Sequence, residues 1–482
     1  MTDADFQNWL KHGGRFVALV EVQTSPVRYL STVAYTTLPT DTPANRVYAP
    51  VVAGGVALSE SLPLDGSATL SAGDIEIHNE DGALDDWLSG VWNNRRVQVF
   101  VGDVTWPRAD FRLIFDGIAA GLESRTAGRL NITIRDKLQR LNTPVSETLL
   151  GGTTANKDRL QPITLGECHN ISPLLTDPAT HEYQCHTGAV ESIIEVRADG
   201  VPRAITTAGV PAGSFRLTAS PQGGITASVQ GRTPYTNTVA GIVRTLATAY
   251  GTPTERLTGA DLDAAQLAAF DAAHPQPVGI HISDRANVLQ CCQTIAASVG
   301  AQVAMSRTGQ LRLLKIALPA TGTATDVTPA DYEAGSLEIA QRSTVIAGVR
   351  LGYCKNWTVQ TSIDSGIPAE HKDLYAQEWL TSTARDAAVA SNYRIYADPP
   401  QDDTLLLRAV DAQNEAYRRL NLWKAQRTVY RFKGYAHLLT LELGQALTLT
   451  APRFGLDAGK TGIVVGLESD WINRRVIVEV LI

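Results

Sequence analysis

The spacing of apolar positions near the start of the chain predicts β-strands. Segments Phe16–Val22, Asp74–His78 and Arg96–Val101 mix alternation with short apolar runs, and glycine, proline and aspartate separate them. Two further strands, Phe111–Phe115 and Leu130–Ile134, are joined by a connection that contains glycine, which suits an antiparallel pair. The pattern therefore indicates a β-barrel or β-sandwich.

The period changes in the middle of the chain. Residues 151–235 are rich in glycine, threonine, proline and serine, with strand-like pieces such as Ile193–Val196, which predicts a small β subdomain. Residues 236–318 carry apolar positions at helical spacing, with Thr236 and Ser283 as the expected N-caps of two helices. Their apolar faces are Val239, Ile242, Val243 and Leu246 for the first helix, and Val288, Cys291, Cys292, Ile295 and Val299 for the second.

Strand patterns return towards the end of the chain. A hairpin of Ala301–Met305 and Gln310–Leu314 completes an α+β subdomain, and the composition of Pro319–Thr328 indicates a linker. Alternation resumes at Ser343 and continues to a final strand, Arg475–Ile482. A helix near 404–423 is expected to interrupt it, with Leu406, Val410, Tyr417 and Leu420 on one face.

These patterns predict a mainly β chain that is α+β overall. Four segments are expected: a β-barrel domain at 1–150, the small β subdomain at 151–235, the α+β subdomain at 236–318, and a second β-barrel domain at 319–482. A length of 482 residues suggests about three domains, so this division is compatible with the length of the chain.

Composition narrows the class of protein. With 44% hydrophobic and 19% charged residues the chain is expected to be globular, and neither a run of about 18 apolar residues nor a secretory signal pattern is present. The net charge of −7 argues against nucleic-acid binding. The five cysteines, Cys168, Cys185, Cys291, Cys292 and Cys354, do not form a disulfide framework and indicate synthesis in a reducing cytoplasm.

Three motifs suggest chemistry that their spacing does not support. Gly455–Thr461 resembles a phosphate-binding loop, but three residues separate its glycines and a strand pattern follows, which favours a β-turn. His181–His186 has its histidines five apart, whereas the helical zinc-protease motif needs four. A structural zinc is a less favoured hypothesis than packed cysteines and solvated histidines for the set Cys168, His169, His181, Cys185 and His186.

The remaining candidates also favour structural explanations. Cys291 and Cys292 fit an apolar helical face better than a redox pair. The acid-rich segment Asp74–Asp86 lacks the ligand order of a calcium loop, and an Asp81-Gly82 turn before a short helix explains it. No serine-nucleophile motif occurs, so the sequence predicts no catalytic residue, no cofactor-binding residue and no metal ligand.

Three stretches resemble the tail-tip hub proteins of long-tailed bacteriophages, including the central baseplate hubs of siphophages. Gly73–Trp87 is similar to the strand, Asn-x-Asp-Gly turn and short helix of their N-terminal domains. Gln161–Pro173, continuing to Glu182–Gln184, is similar to the segment that opens their second domain. Leu443–Leu449 and Gly462–Leu467 are similar to their closing barrel strands.

The resemblance implies a structural virion protein of the tail tip, not an enzyme. Three copies with two tube-like β-barrels each would present six barrels to a sixfold tail tube. Such a hub would close the tube and contact the tube or distal tail protein, the tape-measure protein, and fibre or tip proteins. It would also open for DNA ejection without binding DNA specifically. Relatives with an iron–sulfur cluster carry several cysteines near the C-terminus, and only Cys354 lies beyond Cys292 here, so no cofactor is expected.

Two other functions stay open. A tail-associated cell-wall hydrolase would need paired carboxylates, a metal site or a Cys/His pair in a cleft. A hub of a contractile injection system is a second assembly role, which neighbouring genes for a sheath would indicate. Three chains of charge −7 would carry −21, and we hypothesise an acidic channel that DNA passes without adhering; the alternative is that this charge only maintains solubility.

Overall fold

The computed structural model describes residues 1–54, 56–64, 69–220, 223–320, 322–396 and 398–482. The contacts group the chain into two compact units. Unit 1 consists of Met1–Gln139, Val303–Ser343 and Gln426–Ile482, and unit 2 consists of Arg140–Gln302 and Thr344–Ala425. The four-segment division along the sequence stays a prediction about which parts fold independently.

Strands predominate, as the sequence predicts, and the mainly β, α+β class is confirmed. In chain order the strands are β1 (Phe16–Val22), β2 (Arg28–Ser31), β3 (Tyr35–Thr36), β4 (Val47–Tyr48), β5 (Val52–Gly54), β6 (Ala57–Ser61), β7 (Thr69–Ala72), β8 (Asp74–His78), β9 (Arg96–Asp103), β10 (Arg112–Thr126), β11 (Arg129–Arg135), β12 (Ile163–Ile171), β13 (Leu174–Asp177), β14 (Glu182–Gln184), β15 (Val190–Ala198), β16 (Val201–Pro202), β17 (Ile205–Thr206), β18 (Ser214–Leu217), β19 (Ile225–Arg232), β20 (Gly279–Ile282), β21 (Ala301–Met305), β22 (Leu311–Lys315), β23 (Thr325–Val327), β24 (Glu338–Arg342), β25 (Gly348–Tyr353), β26 (Leu380–Arg385), β27 (Gln401–Asp403), β28 (Thr428–Gly434), β29 (Ala446–Leu449), β30 (Lys460–Asp470) and β31 (Arg475–Leu481). The α-helices are α1 (Asp3–His12), α2 (Val239–Ala249), α3 (Ala264–Ala273), α4 (Val288–Ala297), α5 (Ala369–Tyr375), α6 (Ala387–Tyr393) and α7 (Ala409–Trp423). Short 3-10 helices lie at Asp85–Ser89, Arg108–Asp110, Lys137–Leu141, Gly259–Asp261 and Ala436–Thr440.

Unit 1 contains two large sheets. The first has the strand order β2-β1-β9-β10-β11-β8-β5 and is built entirely from the N-terminal segment. The second has the order β23-β29-β30-β31-β28-β24, and the hairpin of β6 and β7 joins it through β30. The antiparallel pairing of β10 with β11, expected from the glycine-containing connection, is confirmed.

One hydrophobic core contains residues of both sheets of unit 1. Phe115 and Ile132 of the first sheet belong to the same buried cluster as Phe432 and Val478 of the second. Strand β1 shows why its apolar run is nearly continuous. Its Ala18, Val20 and Val22 enter that core, whereas Val17 and Leu19 point to a separate aromatic cluster, so both faces of the strand are buried.

Unit 2 combines smaller sheets with helices. A five-stranded sheet has the order β16-β15-β19-β12-β20, a four-stranded sheet β13-β14-β18-β17, and a three-stranded sheet β26-β25-β27. Helices α2 and α4 pack on each other, and the apolar faces predicted for them are buried as expected. Cys291 and Cys292 are both buried in α4, which confirms core packing as their role.

The predicted N-caps of these two helices are wrong. Thr238, not Thr236, caps α2, because the Asn237 carbonyl accepts a hydrogen bond from the Val278 N–H and keeps the backbone extended up to that point. Asn287, not Ser283, caps α4, and its Oδ1 accepts from the Leu289 N–H at 2.9 Å. The carbonyl of the preceding residue, 286, is held by the N–H of residue 145, which delays the start of the helix.

Two predictions for the C-terminal half also need correction. The helix expected near 404–423 begins at Ala409, because the backbone at Thr404 and Leu406 bonds to β25 and to Cys354. Its buried face is Ala412, Glu415, Ala416, Leu420 and Leu422, whereas Val410 and Tyr417 are exposed. The expected linker 319–328 contains strand β23, which pairs in parallel with β29 and buries Val327; residue 321 lies outside the described residues.

Candidate functional site

The hairpin of β6 and β7 connects two parts of unit 1 that are far apart in sequence. Strand β30 pairs with β29 along its first half and with β6 along its second half, from Gly466 opposite Ser61 to Asp470 opposite Ala57. The side chains of Leu58 and Glu60 are buried at this junction. Backbone hydrogen bonds therefore join the N-terminal segment directly to the C-terminal sheet.

A buried ion pair fixes this junction. The Arg307 Nε lies 3.2 Å from Glu60 Oε2, and both side chains are buried. The Arg307 guanidinium also donates to the carbonyl oxygens of Leu439 and Leu441, at 2.8 and 2.7 Å, and lies over the Trp471 ring. Burial raises the pKa of Glu60, and the charge of Arg307 opposes that rise. One arginine thus holds three separate chain segments.

A second buried cluster attaches the turn after β21 to the N-terminal sheet. Asp116 accepts two hydrogen bonds from Arg96, at 2.9 and 2.6 Å, and lies 3.2 Å from the ammonium group of Lys137. Its backbone N–H donates to the carbonyl of Arg307. Gly309 has φ +75°, and a Cβ there would lie 2.5 Å from the Asp116 carbonyl oxygen, so this close approach requires glycine.

The acid-rich segment 74–86 forms a capped turn. Asn79 Oδ1 accepts from the Leu84 N–H at 2.8 Å, its Nδ2 donates to Asp85 Oδ1, and Gly82 adopts φ +69°. Asp74 at the start of the segment pairs with Arg125. The predicted turn followed by a short helix is confirmed, and the helix is a 3-10 helix. In the described part of the chain, no group of three or more histidine, cysteine or acidic residues is placed to hold a metal ion.

The loop that resembles a phosphate-binding motif is a β-hairpin connection. Gly455 and Gly459 have φ +69° and +74°, and the Gly459 N–H donates to the Leu456 carbonyl. The chain continues from Lys460 into β30, so the helix N-terminus that would hold a phosphate is replaced by a strand. The expected β-turn is confirmed.

The cysteines and histidines of the hypothetical zinc set lie in different environments. Cys168 and Cys185 are fully buried in one apolar cluster, where burial strongly raises the pKa of each thiol. His169 pairs with Glu167 at 3.2 Å, and His181 occupies a turn with φ +53°. His186 is buried and forms a separate polar contact.

That contact is a three-residue cluster of His186, Thr164 and His281. The Thr164 N–H donates to His186 Nδ1 at 3.0 Å, and the Thr164 hydroxyl donates to the Cys185 carbonyl at 2.9 Å. The same hydroxyl lies 2.9 Å from His281 Nδ1, which must therefore carry the proton. Burial lowers the pKa of His186 to about 4 and that of His281 to about 3, so both rings are neutral. The sequence did not single out His281, because a lone histidine in a strand of apolar residues carries no motif.

One cavity of unit 2 brings a cysteine and a histidine together. Its volume is about 170 Å³, and Cys354, His169, Asn356 and Glu195 are among the residues that line it. Cys354 adopts φ +50°, and Asn356 Oδ1 is buried without a hydrogen-bond partner. Burial and the charge of Glu167 raise the pKa of the Cys354 thiol, which is the opposite of what a thiolate nucleophile requires. The cavity therefore has the residue types of a Cys/His site but not its electrostatics.

No helix among the described residues is both long enough and apolar enough to cross a membrane.

Comparisons with known proteins give likenesses in fold. No protein-family model matches the sequence, and no curated protein matches it. The tail protein from Neisseria meningitidis MC58 is 10% identical over 96% of this chain and 96% of that chain, with a TM-score of 0.43. The 43 kDa tail protein of prophage MuSo2 from Shewanella oneidensis is 9% identical over 96% of this chain and 98% of that chain, with a TM-score of 0.42. A chain of a native gene transfer agent virion is 14% identical over 72% of this chain and 91% of that chain, with a TM-score of 0.41. The first two are described as tail proteins, and the third belongs to a virion particle.

Proposed function

We propose that this protein is a structural virion component, the hub of a bacteriophage tail tip or baseplate, and that it acts as a homotrimer. In this role it closes the tail tube, receives the end of the tape-measure protein, and joins the tube or distal tail protein to fibre and tip components. The observation that carries the proposal is the composition of unit 1, in which the two ends of the chain supply one large sheet each around a shared core.

Two joined sheets per chain suit a trimer that meets a sixfold tube. A ring of three chains has three equivalent positions, so each chain must offer two similar β surfaces to satisfy six positions. The β6–β30 pairing and the Glu60–Arg307 ion pair hold the two sheets of unit 1 in one rigid arrangement, which such a ring needs.

The stretches that resemble tail hubs fall on well-formed elements of the fold. The stretch 73–87 comprises β8, the Asn79 turn and the 3-10 helix. The stretch 161–173 contains β12, which pairs with both β19 and β20 in the five-stranded sheet. The closing stretches form β29 and part of β30. The resemblance therefore rests on segments that organise both units.

The mild acidity fits a channel that DNA crosses without being held. The net charge of −7 per chain opposes binding to phosphates, and no DNA-binding role is proposed. Under this proposal the protein is made in the host cytoplasm and resides in the virion.

The trimer is tested by measuring the mass of the purified full chain by light scattering across a range of concentrations. We expect the mass of three 51.8 kDa chains, and incorporation into tails made without the endogenous protein. A stable monomer at every concentration, which also fails to enter tails, would contradict the hub.

The hydrolase alternative is tested with the Cys354 cavity. We expect no muropeptide release when the protein is incubated with peptidoglycan, because the raised pKa of the Cys354 thiol disfavours the thiolate that a Cys/His hydrolase requires. Release by the unmodified protein that is lost in Cys354→Ala, but kept in the matched core variant Cys291→Ala, would establish an enzyme in place of the proposed structural role.

A further inference from the structure

An open cleft of about 700 Å³ lies in unit 1 where the end of α1 meets the turn between β30 and β31. Lys11 and His12 come from the last turn of α1, and Arg474 and Arg475 come from the β-turn and the start of β31. Arg474 Nη1 lies 3.2 Å from the position that a Cβ of Gly13 would occupy, so its guanidinium lies beside the end of the helix. Basic side chains from two distant segments thus converge on one cavity.

The cations of this cleft form no ion pair in the described part of the chain, and Asp470, which lies opposite Arg475 across the β30–β31 hairpin, accepts hydrogen bonds from Asn473. Among the described residues, no ion pair or side-chain hydrogen bond involves Lys11, Arg474 or Arg475. Two carboxylates also line the cleft. Asp331 is occupied within its own surroundings, because Oδ2 accepts from the N–H and hydroxyl of Thr328 and Oδ1 lies 3.0 Å from His437 Nε2. Glu333 is exposed at the rim, so three permanent positive charges face two negative ones.

The positive charge of Lys11 affects His437, which also lines the cleft. A histidine that contacts an aspartate normally has a raised pKa, yet the pKa of His437 is lowered. The causes are burial first and then the charge of Lys11, and together they outweigh the attraction of Asp331. The charge of Lys11 therefore acts on the His437 ring in the same direction as burial.

A structural role explains only half of the basic set. Lys11 and His12 complement the partial negative charge at the C-terminus of α1, and His12 Nδ1 also donates to the Asn8 carbonyl at 2.9 Å. Arg474 and Arg475 lie in a hairpin, where no helix dipole accounts for two adjacent unpaired arginines. Adjacent guanidinium groups present forked donors that match the oxygens of a phosphate.

We propose that this cleft binds a phosphate dianion, with Arg474 and Arg475 as the forked donors and Lys11 as the third charge. A phosphate monoester carries roughly −1.5 to −2 charges at pH 7 and three acceptor oxygens, which suits three converging cations better than a single carboxylate does. The phosphate can belong to a free small molecule or to a lipid headgroup, and the chemistry of recognition is the same for both.

Calorimetric titration of the full chain with inorganic phosphate and with tripolyphosphate tests the site. We expect binding that weakens as salt rises, and an affinity reduced by roughly tenfold or more in Arg474→Gln/Arg475→Gln. Arg453→Gln removes an exposed arginine of unit 1 outside the cleft and should leave the affinity unchanged. Absence of binding at millimolar ligand, or an equal loss in the control, would refute the proposal. Succinate, a dicarboxylate of charge similar to that of inorganic phosphate, must bind more weakly than inorganic phosphate, and equal affinity would refute the phosphate assignment.

A second measurement depends on the cleft and not on stability. Phosphate exchanges protons of its own near pH 6, so the wild type is compared with His437→Gln. Because an anion beside Lys11 raises the pKa of His437, the wild type should take up more protons on binding at pH 6, measured by calorimetry in buffers of different ionisation enthalpy. His437→Gln should lower that uptake while leaving tripolyphosphate binding measurable. An unchanged uptake would place the anion elsewhere.

Vesicles distinguish the two sources of phosphate. If a lipid headgroup is the ligand, vesicles of phosphatidic acid in phosphatidylcholine should bind the protein, phosphatidylcholine alone should not, and tripolyphosphate should displace the vesicles. If only free phosphates bind, the site takes a soluble ligand. Vesicle binding that the double arginine variant retains would contradict the assignment to this cleft.

Discussion

The two units differ in how they bury polar groups. Unit 1 contains ion pairs in which both side chains are buried, Arg307 with Glu60 and Lys137 with Asp116. In unit 2 the buried carboxylates of Glu182 and Glu415 pair with arginines that stay partly exposed, and the buried His186–Thr164–His281 cluster is neutral. The Glu60–Arg307 pair joins segments that are distant in sequence, and the neutral cluster joins β12 to β20 within one sheet. Charges are costly to bury unless the geometry is fixed, so the ion pairs of unit 1 specify one arrangement of its segments.

Individual buried groups in the two units respond to acid in opposite directions. In unit 1 burial raises the pKa of Asp136 to about 6, although the N–H groups of Leu138 and Gln139 lower it in part. Folded unit 1 therefore keeps a proton that the unfolded chain has already lost. In unit 2 the lowered pKa values of His186 and His281 mean that the unfolded chain takes up protons first.

The largest expected effect is at the junction of β6 and β30. Arg307→Met leaves Glu60 buried without its cation and frees two carbonyl groups, which should lower the free energy of unfolding by about 3–5 kcal/mol. Thermal and denaturant unfolding of the full chain measures it. Adding Glu60→Gln should recover part of the loss, because a buried amide needs no counter-charge. A double variant as unstable as the sum of the two single variants would show that the two side chains are not coupled.

The second-largest expected effect is that the free energy of unfolding depends on pH in opposite directions through one buried residue in each unit. The stability that the neutral His281 ring contributes to the folded state is present above pH 6.5 and is lost as the pH falls from 6.5 towards about 3. The stability that protonated Asp136 contributes is present below pH 3.8 and is lost as the pH rises from 3.8 through about 6. Between pH 4.5 and 7.5, at about 1.4 kcal/mol per pH unit, the free energy of unfolding should change by about 3 kcal/mol through His281 and by about 2 kcal/mol through Asp136.

Melting temperatures of the wild type, His281→Gln and Asp136→Asn between pH 4.5 and 7.5 measure these two slopes. His281→Gln should reduce the loss of stability at low pH, and Asp136→Asn should remove a loss at high pH. If both variants change the profile in the same direction, the contrast between the units is wrong.

The smallest effect tests the corrected helix start in unit 2. Asn287→Ala should cost about 1 kcal/mol, because the N–H groups of Leu289 and Gln290 lose their acceptor. Ser283→Ala, the matched control at the position that the sequence favoured, should change the free energy of unfolding by only a few tenths of a kcal/mol. An equal loss of stability at both positions would contradict the assignment of Asn287 as the N-cap of α4.

Local patterns account for most of what sequence analysis predicted correctly. The bounds of β1 and β8 agree with the predicted segments, because alternation of side chains along a strand is a property of neighbouring residues. The turn at Gly82 and the rejection of a phosphate loop at Gly455 also follow from local chemistry. The errors arise where distant backbone groups compete with local preferences, as at both helix starts and at β23.

The candidate sites were less predictable than the fold. The cleft of Lys11 and Arg474 combines residues more than 400 positions apart, and no spacing rule connects them. Glu60 and Arg307 each look like ordinary charged surface residues in the sequence. Their burial follows from the pairing of β6 with β30, which no local pattern indicates. Val410 and Tyr417 show the reverse, because the first turns of α7 pack through Ala412 and Ala416 and leave these two larger residues exposed.

The amino-acid sequence by itself determined the class of fold, the strands that end at local turn signals, and the absence of a recognisable catalytic motif, since each depends on residues that are close together in the chain. Tertiary structure alone decided which strands share a sheet, which charges are buried as pairs, and which basic residues meet in one cleft. The physical reason is that a strand edge or a charged side chain accepts many partners of the same chemistry. Only the packing of the whole unit selects one of them.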